Sequence, residues 1–112
     1  MKRIIQTDDA PEAIGPYSQA VMQNGWVWCS GQIPIDPSTG EMEGPDVSAQ
    51  TRRVMQNLGH VLRAAGTDFG KVVKCTIFLT DMEDFAVVNK VYGTYFESDP
   101  PARETVEVRA LP

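Results

Sequence analysis

Hydrophobic and polar positions alternate with two distinct periods along this chain, and the switches between them divide it into seven elements. Residues 3–7 read as a short strand, and Pro11, Gly15 and Pro16 punctuate the irregular segment that follows. Residues 17–23 and 26–31 flank Asn24-Gly25, a strong two-residue hairpin signal. A period of two places Trp26, Trp28 and Ser30 on one face of the second strand, and Val27, Cys29 and Gly31 on the other. Residues 32–46, with three prolines and two glycines, read as a long surface loop that ends at Asp46, a suitable helix N-cap.

The period then changes. Val54, Met55, Leu58, Val61, Leu62 and Ala65 recur at helical spacing over 48–65, and Gly66 suits the stop. Residues 71–79 read as a mostly buried strand. Thr80 and Glu83 form a candidate capping box for a helix carrying Phe85, Val88, Tyr92 and Phe96, closed by Asp99-Pro100-Pro101. Alternation returns over 102–110, with Val106, Val108 and Ala110 facing one way and Thr105, Glu107 and Arg109 the other.

The order β-β-β-α-β-α-β predicts an α+β domain spanning 1–112. Two helices cover only one face of such a sheet. The uncovered face carries Trp26 and Trp28, and an open apolar face of that kind predicts a homo-oligomer.

Composition narrows the function classes. The charged fraction of 22% and hydrophobic fraction of 42% are those of a globular chain. No apolar run approaches the ~20 residues that span a bilayer, and the apolar stretch after Lys2-Arg3 is too short for a signal peptide. The expected location is the cytoplasm, with no membrane partner. A formal charge of −5 opposes non-specific nucleic-acid binding, so no nucleic-acid partner is expected. The adjacent Arg52-Arg53 reads as a solvated helix face. Cys29 and Cys75, inside apolar segments, read as buried reduced thiols. The one histidine, His60, lies on a predicted helix. No metal-ligand spacing and no phosphate-cradling glycine loop is present, so no metal is expected.

Four segments together resemble the reactive-intermediate deaminase (RidA, YjgF-like) family. They are Ile14-Gly15-Pro16-Tyr17-Ser18-Gln19-Ala20; Ser30-Gly31-Gln32-Ile33-Pro34 with Asp36-Pro37 and Thr39-Gly40-Glu41; Asp84-Phe85 with Asn89, Tyr92 and Phe96; and Pro101-Ala102-Arg103 with Val106-Glu107-Val108. The match spans nearly the whole chain in order. The resemblance implies a chorismate-mutase-like mixed sheet backed by two helices, and homotrimers with sites in clefts between subunits. It implies hydrolysis of 2-imino and 2-enamino acids such as 2-aminoacrylate to 2-ketoacids and ammonia, without a cofactor.

The same resemblance assigns roles. Arg103 would grip the substrate carboxylate through its planar fork. Tyr17 would offer its hydroxyl, the backbone at Thr105 would help position the attacking water, and Ser30, Gly31 and Asn89 would shape and orient the pocket. Each also has a plain structural alternative: Arg103 in an ion pair, Tyr17 as a core tyrosine with a wet tip, Ser30 as a strand-end hydroxyl, Gly31 for its backbone freedom.

Two departures from the family pattern stand out. Glu104 follows Arg103 where a small residue is common, and on a strand it should face away. The family pattern also continues past Leu111-Pro112 into an inner strand bearing a Glu, so the expectation is a C-terminally incomplete domain whose acid/base residue is absent from these 112 positions. Competing functions are a non-catalytic trimeric binder of ketoacids or other carboxylates, a ribonuclease or translation inhibitor, and a chorismate-mutase-like isomerase.

Overall fold

The computed structural model describes all 112 residues. It contains β1 (Arg3–Ile5), β2 (Ala20–Gln23), β3 (Trp26–Cys29), α1 (Val47–Ala64), β4 (Lys74–Leu79), α2 (Phe85–Gly93) and β5 (Ala102–Glu107). Single 3-10 turns, Phe69–Lys71 and Met82–Asp84, precede β4 and α2. The seven elements follow the expected order.

The strands form two ladders. β1, β2 and β3 make an antiparallel meander in which Ile5 lies opposite Ala20, and Ala20 opposite Cys29. The β2–β3 turn places Asn24 and Gly25 at φ 54° and 78°. Both values are positive, as the hairpin turn matched to strand twist requires. β4 and β5 pair in parallel, with Cys75 opposite Arg103 and Ile77 opposite Thr105. The strands thus form two separate sheets, one antiparallel and one parallel, with no ladder joining β3 to β4.

Helix α1 begins where Asp46 accepts a hydrogen bond from the Ser48 N–H. It ends at Gly66, whose φ of +83° suits a residue without a Cβ. Val61 and Ala65 of this helical turn pack with Ile5, Ala10 and Ala20, and Met22 and Val27 border the cluster. The other side of β3 is open: Trp26 is 55% and Trp28 67% exposed. Phe78 and Val106 are exposed as well, while their neighbours Ile77, Thr105 and Arg103 are half-buried. One face of the strands is thus covered by helices and the other carries exposed aromatics.

Several boundaries differ from the sequence expectation. The strand expected from residue 17 starts at Ala20, because Gln19 turns its side chain onto the preceding segment. The expected Thr80–Glu83 capping box does not form; Asp81 caps the 3-10 turn by accepting from the Glu83 N–H. Helix α2 stops at Gly93 rather than at Asp99. Phe96 leaves the helical path and packs edge-on against Phe69, with ring centroids 5.6 Å apart. β4 is half exposed rather than mostly buried, since no layer covers Lys74, Thr76 and Phe78. Cys29 is exposed and Cys75 half-buried, so neither is the fully buried thiol expected. Cys29 ends a strand that has a partner on one edge only.

Arg53 is not the solvated residue expected. It ties α1 to the long loop through Asp36 at 3.5 Å and Glu43 at 3.3 Å. Asn57, fully buried, donates from Nδ2 to the Ile35 carbonyl at 2.9 Å and the Ile33 carbonyl at 3.5 Å. These contacts hold the loop that follows Ser30-Gly31 against the helix.

Candidate functional site

Arg103 lies on β5, and strand alternation turns it toward α2. Phe85, Asn89 and Tyr92 occupy positions i, i+4 and i+7 of that helix, one stripe along a single face. All three meet the guanidinium. Nη1 of Arg103 donates to Asn89 Oδ1 at 2.6 Å, and the guanidinium carbon lies 5.0 Å from the Tyr92 ring centroid and 5.5 Å from that of Phe85. The ion pairs of the molecule join Arg53 to Asp36 and Glu43, and Lys74 to Glu104. Arg103 thus has no carboxylate partner, which removes the structural ion-pair alternative. A half-buried, permanently charged fork held at one nitrogen keeps its remaining N–H groups for an anion.

Thr105 shares the Arg103 face, and its Oγ1 is buried without a hydrogen-bond partner. The Tyr92 hydroxyl is likewise buried and unpartnered. Burial, with the neighbouring Cys75 thiol, pushes the Tyr92 phenol well above its ordinary range, so it remains protonated.

Glu104 points away from Arg103. Lys74 Nζ lies 2.9 Å from Oε2, and Thr76 donates to Oε1 at 2.8 Å. The lysine and threonine bonds lower the Glu104 pKa. A lowered folded-state value stabilises the fold at pH above the ordinary glutamate range, and this is lost as pH falls through the lowered value. The expected result of a carboxyl NMR titration is a Glu104 midpoint below the ordinary glutamate range, moving up in Lys74→Ala. An unchanged midpoint in that variant would show the pair is not formed.

The second group of residues sits elsewhere. Ser30 Oγ donates to the Ser18 carbonyl at 2.6 Å, and its N–H to the Gln19 carbonyl at 3.0 Å. Ser30 is therefore tied to the segment that carries Tyr17. Tyr17 is 53% exposed and is no core tyrosine. A Cβ at Gly31 would meet nothing within 4 Å, and its φ is not positive, so the fold itself does not demand glycine there. Tyr17, Ser30 and Gly31 form one group, and Arg103, Asn89 and Thr105 another. No hydrogen bond or ion pair joins the two within the chain.

Sequence reasoning missed the roles of Tyr92, Phe85 and Gln19. The i, i+4, i+7 placement of two aromatics around Asn89 is the signal that points to the first two. No three His, Cys, Asp or Glu side chains are grouped to hold a metal ion, and no helix is long and apolar enough to cross a membrane.

A family model described as endoribonuclease L-PSP matches residues 7–112. Protein DfrA of Myxococcus xanthus is 59% identical over 99% of this chain and 86% of its own length. Human 2-iminobutanoate/2-iminopropanoate deaminase is 46% identical over 100% of this chain and 82% of its own. Among solved structures, the Rid-family protein YyfA of Yersinia pestis superposes with a TM-score of 0.98 at 50% identity, covering 100% of this chain and 90% of that one. E. coli TdcF with bound serine gives a TM-score of 0.94 at 42% identity, covering 98% and 88%. The chain belongs to the endoribonuclease L-PSP family, the family of the RidA and YjgF-like proteins.

Proposed function

We propose that this protein hydrolyses reactive 2-imino and 2-enamino acids to 2-ketoacids. Water adds to the C=N carbon, the carbon–nitrogen bond breaks, and ammonia leaves with the proton it gains. The observation that carries the reading is Arg103, a clamped guanidinium with no carboxylate of its own. Such a group complements a substrate whose carboxylate adjoins the reacting carbon. The deaminase name of the human relative, and the serine bound to TdcF, support a small amino-acid-like ligand.

In this reading Arg103 anchors the carboxylate and Asn89 orients Arg103 by accepting a hydrogen bond from its Nη1. Thr105 lies one alternation further along β5, where its backbone would help place the attacking water. Tyr17 would present its hydroxyl to the substrate, with Ser30 and Gly31 lining the opposite wall. No hydrogen bond or ion pair joins these two groups within one chain, and a homotrimer with each site between neighbours, assembled in the cytoplasm through the open tryptophan face, would bring them together. The rate would come from positioning and charge neutralisation, and an imine is electrophilic enough to need no cofactor.

A carboxylate-binding role without catalysis is the second reading, favoured by one observation: the side chains that touch Arg103 include no carboxylate and no imidazole to move a proton. His60 is engaged with Arg63 on α1 instead, at 2.8 Å. A coupled assay separates the two. Threonine dehydratase releases 2-iminobutanoate, and ketoacid appearance is timed with and without this protein. Acceleration supports the deaminase; titratable 2-ketobutanoate binding without acceleration supports the binder.

A further inference from the structure

We propose that Phe85 and Tyr92 are positioning residues that set the plane of the Arg103 guanidinium, so that its free edge meets a carboxylate in a single orientation. The inference deepens the reading of Arg103 as a carboxylate anchor and rests on it.

An arginine side chain reaching from a strand has several rotatable bonds, and binding a carboxylate with two parallel bonds requires that most of this freedom be lost. Three contacts remove it before any ligand arrives. Asn89 fixes Nη1 at 2.6 Å. One hydrogen bond leaves the guanidinium free to swing about it. The rings at 5.0 Å and 5.5 Å add faces that attract the cation. Tyr92 is itself rigid, being 7% exposed and packed on Phe96 at a centroid distance of 4.8 Å. Helical periodicity delivers all three contacts from one stripe of α2, so the clamp moves as a unit with the helix. The aromatic faces offer no hydrogen-bond acceptor in competition with an incoming anion.

The Tyr92 hydroxyl has no partner at hydrogen-bond geometry, and the Cys75 thiol beside it is at best a weak one, so the ring and not the hydroxyl is the working part. Removing an unpartnered buried hydroxyl should not weaken the fold. This separates Tyr92→Phe, which keeps the ring, from Tyr92→Leu, which keeps apolar bulk and loses the π face.

The test uses the full chain and 2-ketobutanoate as the probe, with Kd from titration calorimetry and the Arg103 Nε–Hε resonance followed by NMR. The expected result is about a tenfold weaker Kd in Tyr92→Leu and a Kd within about twofold of wild type in Tyr92→Phe. The Arg103 resonance should be sharp and ring-current shifted in wild type and Tyr92→Phe, and should move to the position of the solvent-exposed arginines in Tyr92→Leu. A folded Tyr92→Leu protein with wild-type affinity and an unmoved resonance overturns the clamp. So does a Tyr92→Phe protein as weak as Tyr92→Leu, which would assign the role to the hydroxyl. If wild type binds no ketoacid, the anchor reading fails, and the resonance alone decides the clamp: loss of its shift in Tyr92→Leu supports it, and no change overturns it.

Discussion

Arg103→Ala should lower kcat/KM for 2-iminobutanoate hydrolysis by about 10²–10³, because two charge-assisted hydrogen bonds to the substrate carboxylate contribute roughly 3–4 kcal/mol together. The loss should be accompanied by only a modest change in thermal stability, since Arg103 makes no ion pair, one hydrogen bond and two ring contacts within the fold. Arg103→Lys keeps the charge but replaces a planar fork with a point charge. It should recover only part of the activity, and it should also lose the stacking between Tyr92 and Phe85. Ketoacid release timed against a threonine dehydratase source, alongside thermal unfolding, measures both effects. A full rate in Arg103→Ala would remove the anchor role and with it the deaminase mechanism proposed above.

Gln19→Ala is expected to produce the largest loss of stability among polar substitutions. The side chain is 3% exposed. Its Oε1 accepts from the Thr7 N–H at 2.7 Å, and its Nε2 donates to the carbonyls of Pro11 at 2.8 Å, Thr7 at 3.0 Å and Ala10 at 3.4 Å. These bonds fasten the irregular segment between β1 and β2, which lacks strand pairing of its own. Alanine would leave the Thr7 N–H and several carbonyls without partners, at a cost of roughly 2–4 kcal/mol, or about 10–20 °C in Tm for a chain of this size. Gln19→Glu should also destabilise at neutral pH, because a carboxylate still accepts from Thr7 but cannot donate to any of the carbonyls. A Tm within about 3 °C of wild type in Gln19→Ala would show that water replaces the latch without penalty.

Local patterns in the chain suffice to define α1 and the hairpin. Asp46 and Gly66 bracket α1 through their own hydrogen bonding and backbone geometry, and Asn24-Gly25 dictates its turn in the same way. The proposed carboxylate anchor, Arg103, is legible only through the set of motifs, since nothing in Pro101-Ala102-Arg103 alone tells an ion pair from an anchor. What stays hidden depends on contacts far apart in the chain. Fourteen residues separate Asn89 from Arg103, and the pairing arises from β5 lying against α2. Gln19 reads as one polar position of a strand, while its partners lie on a loop whose path no periodicity describes. The end of α2 departs from its pattern for a similar reason: Phe96 continues the helical spacing, but packing on Phe69 draws it out of the helix.

Both tryptophans of the chain lie on the uncovered face of β3, and the molecule contains no others. Its indole emission therefore reports on that surface alone. Any event that dries the face shifts the spectrum to the blue, and quenching by iodide reads how much of it water still reaches. The protein carries a built-in optical gauge of whatever covers that face, usable without a label.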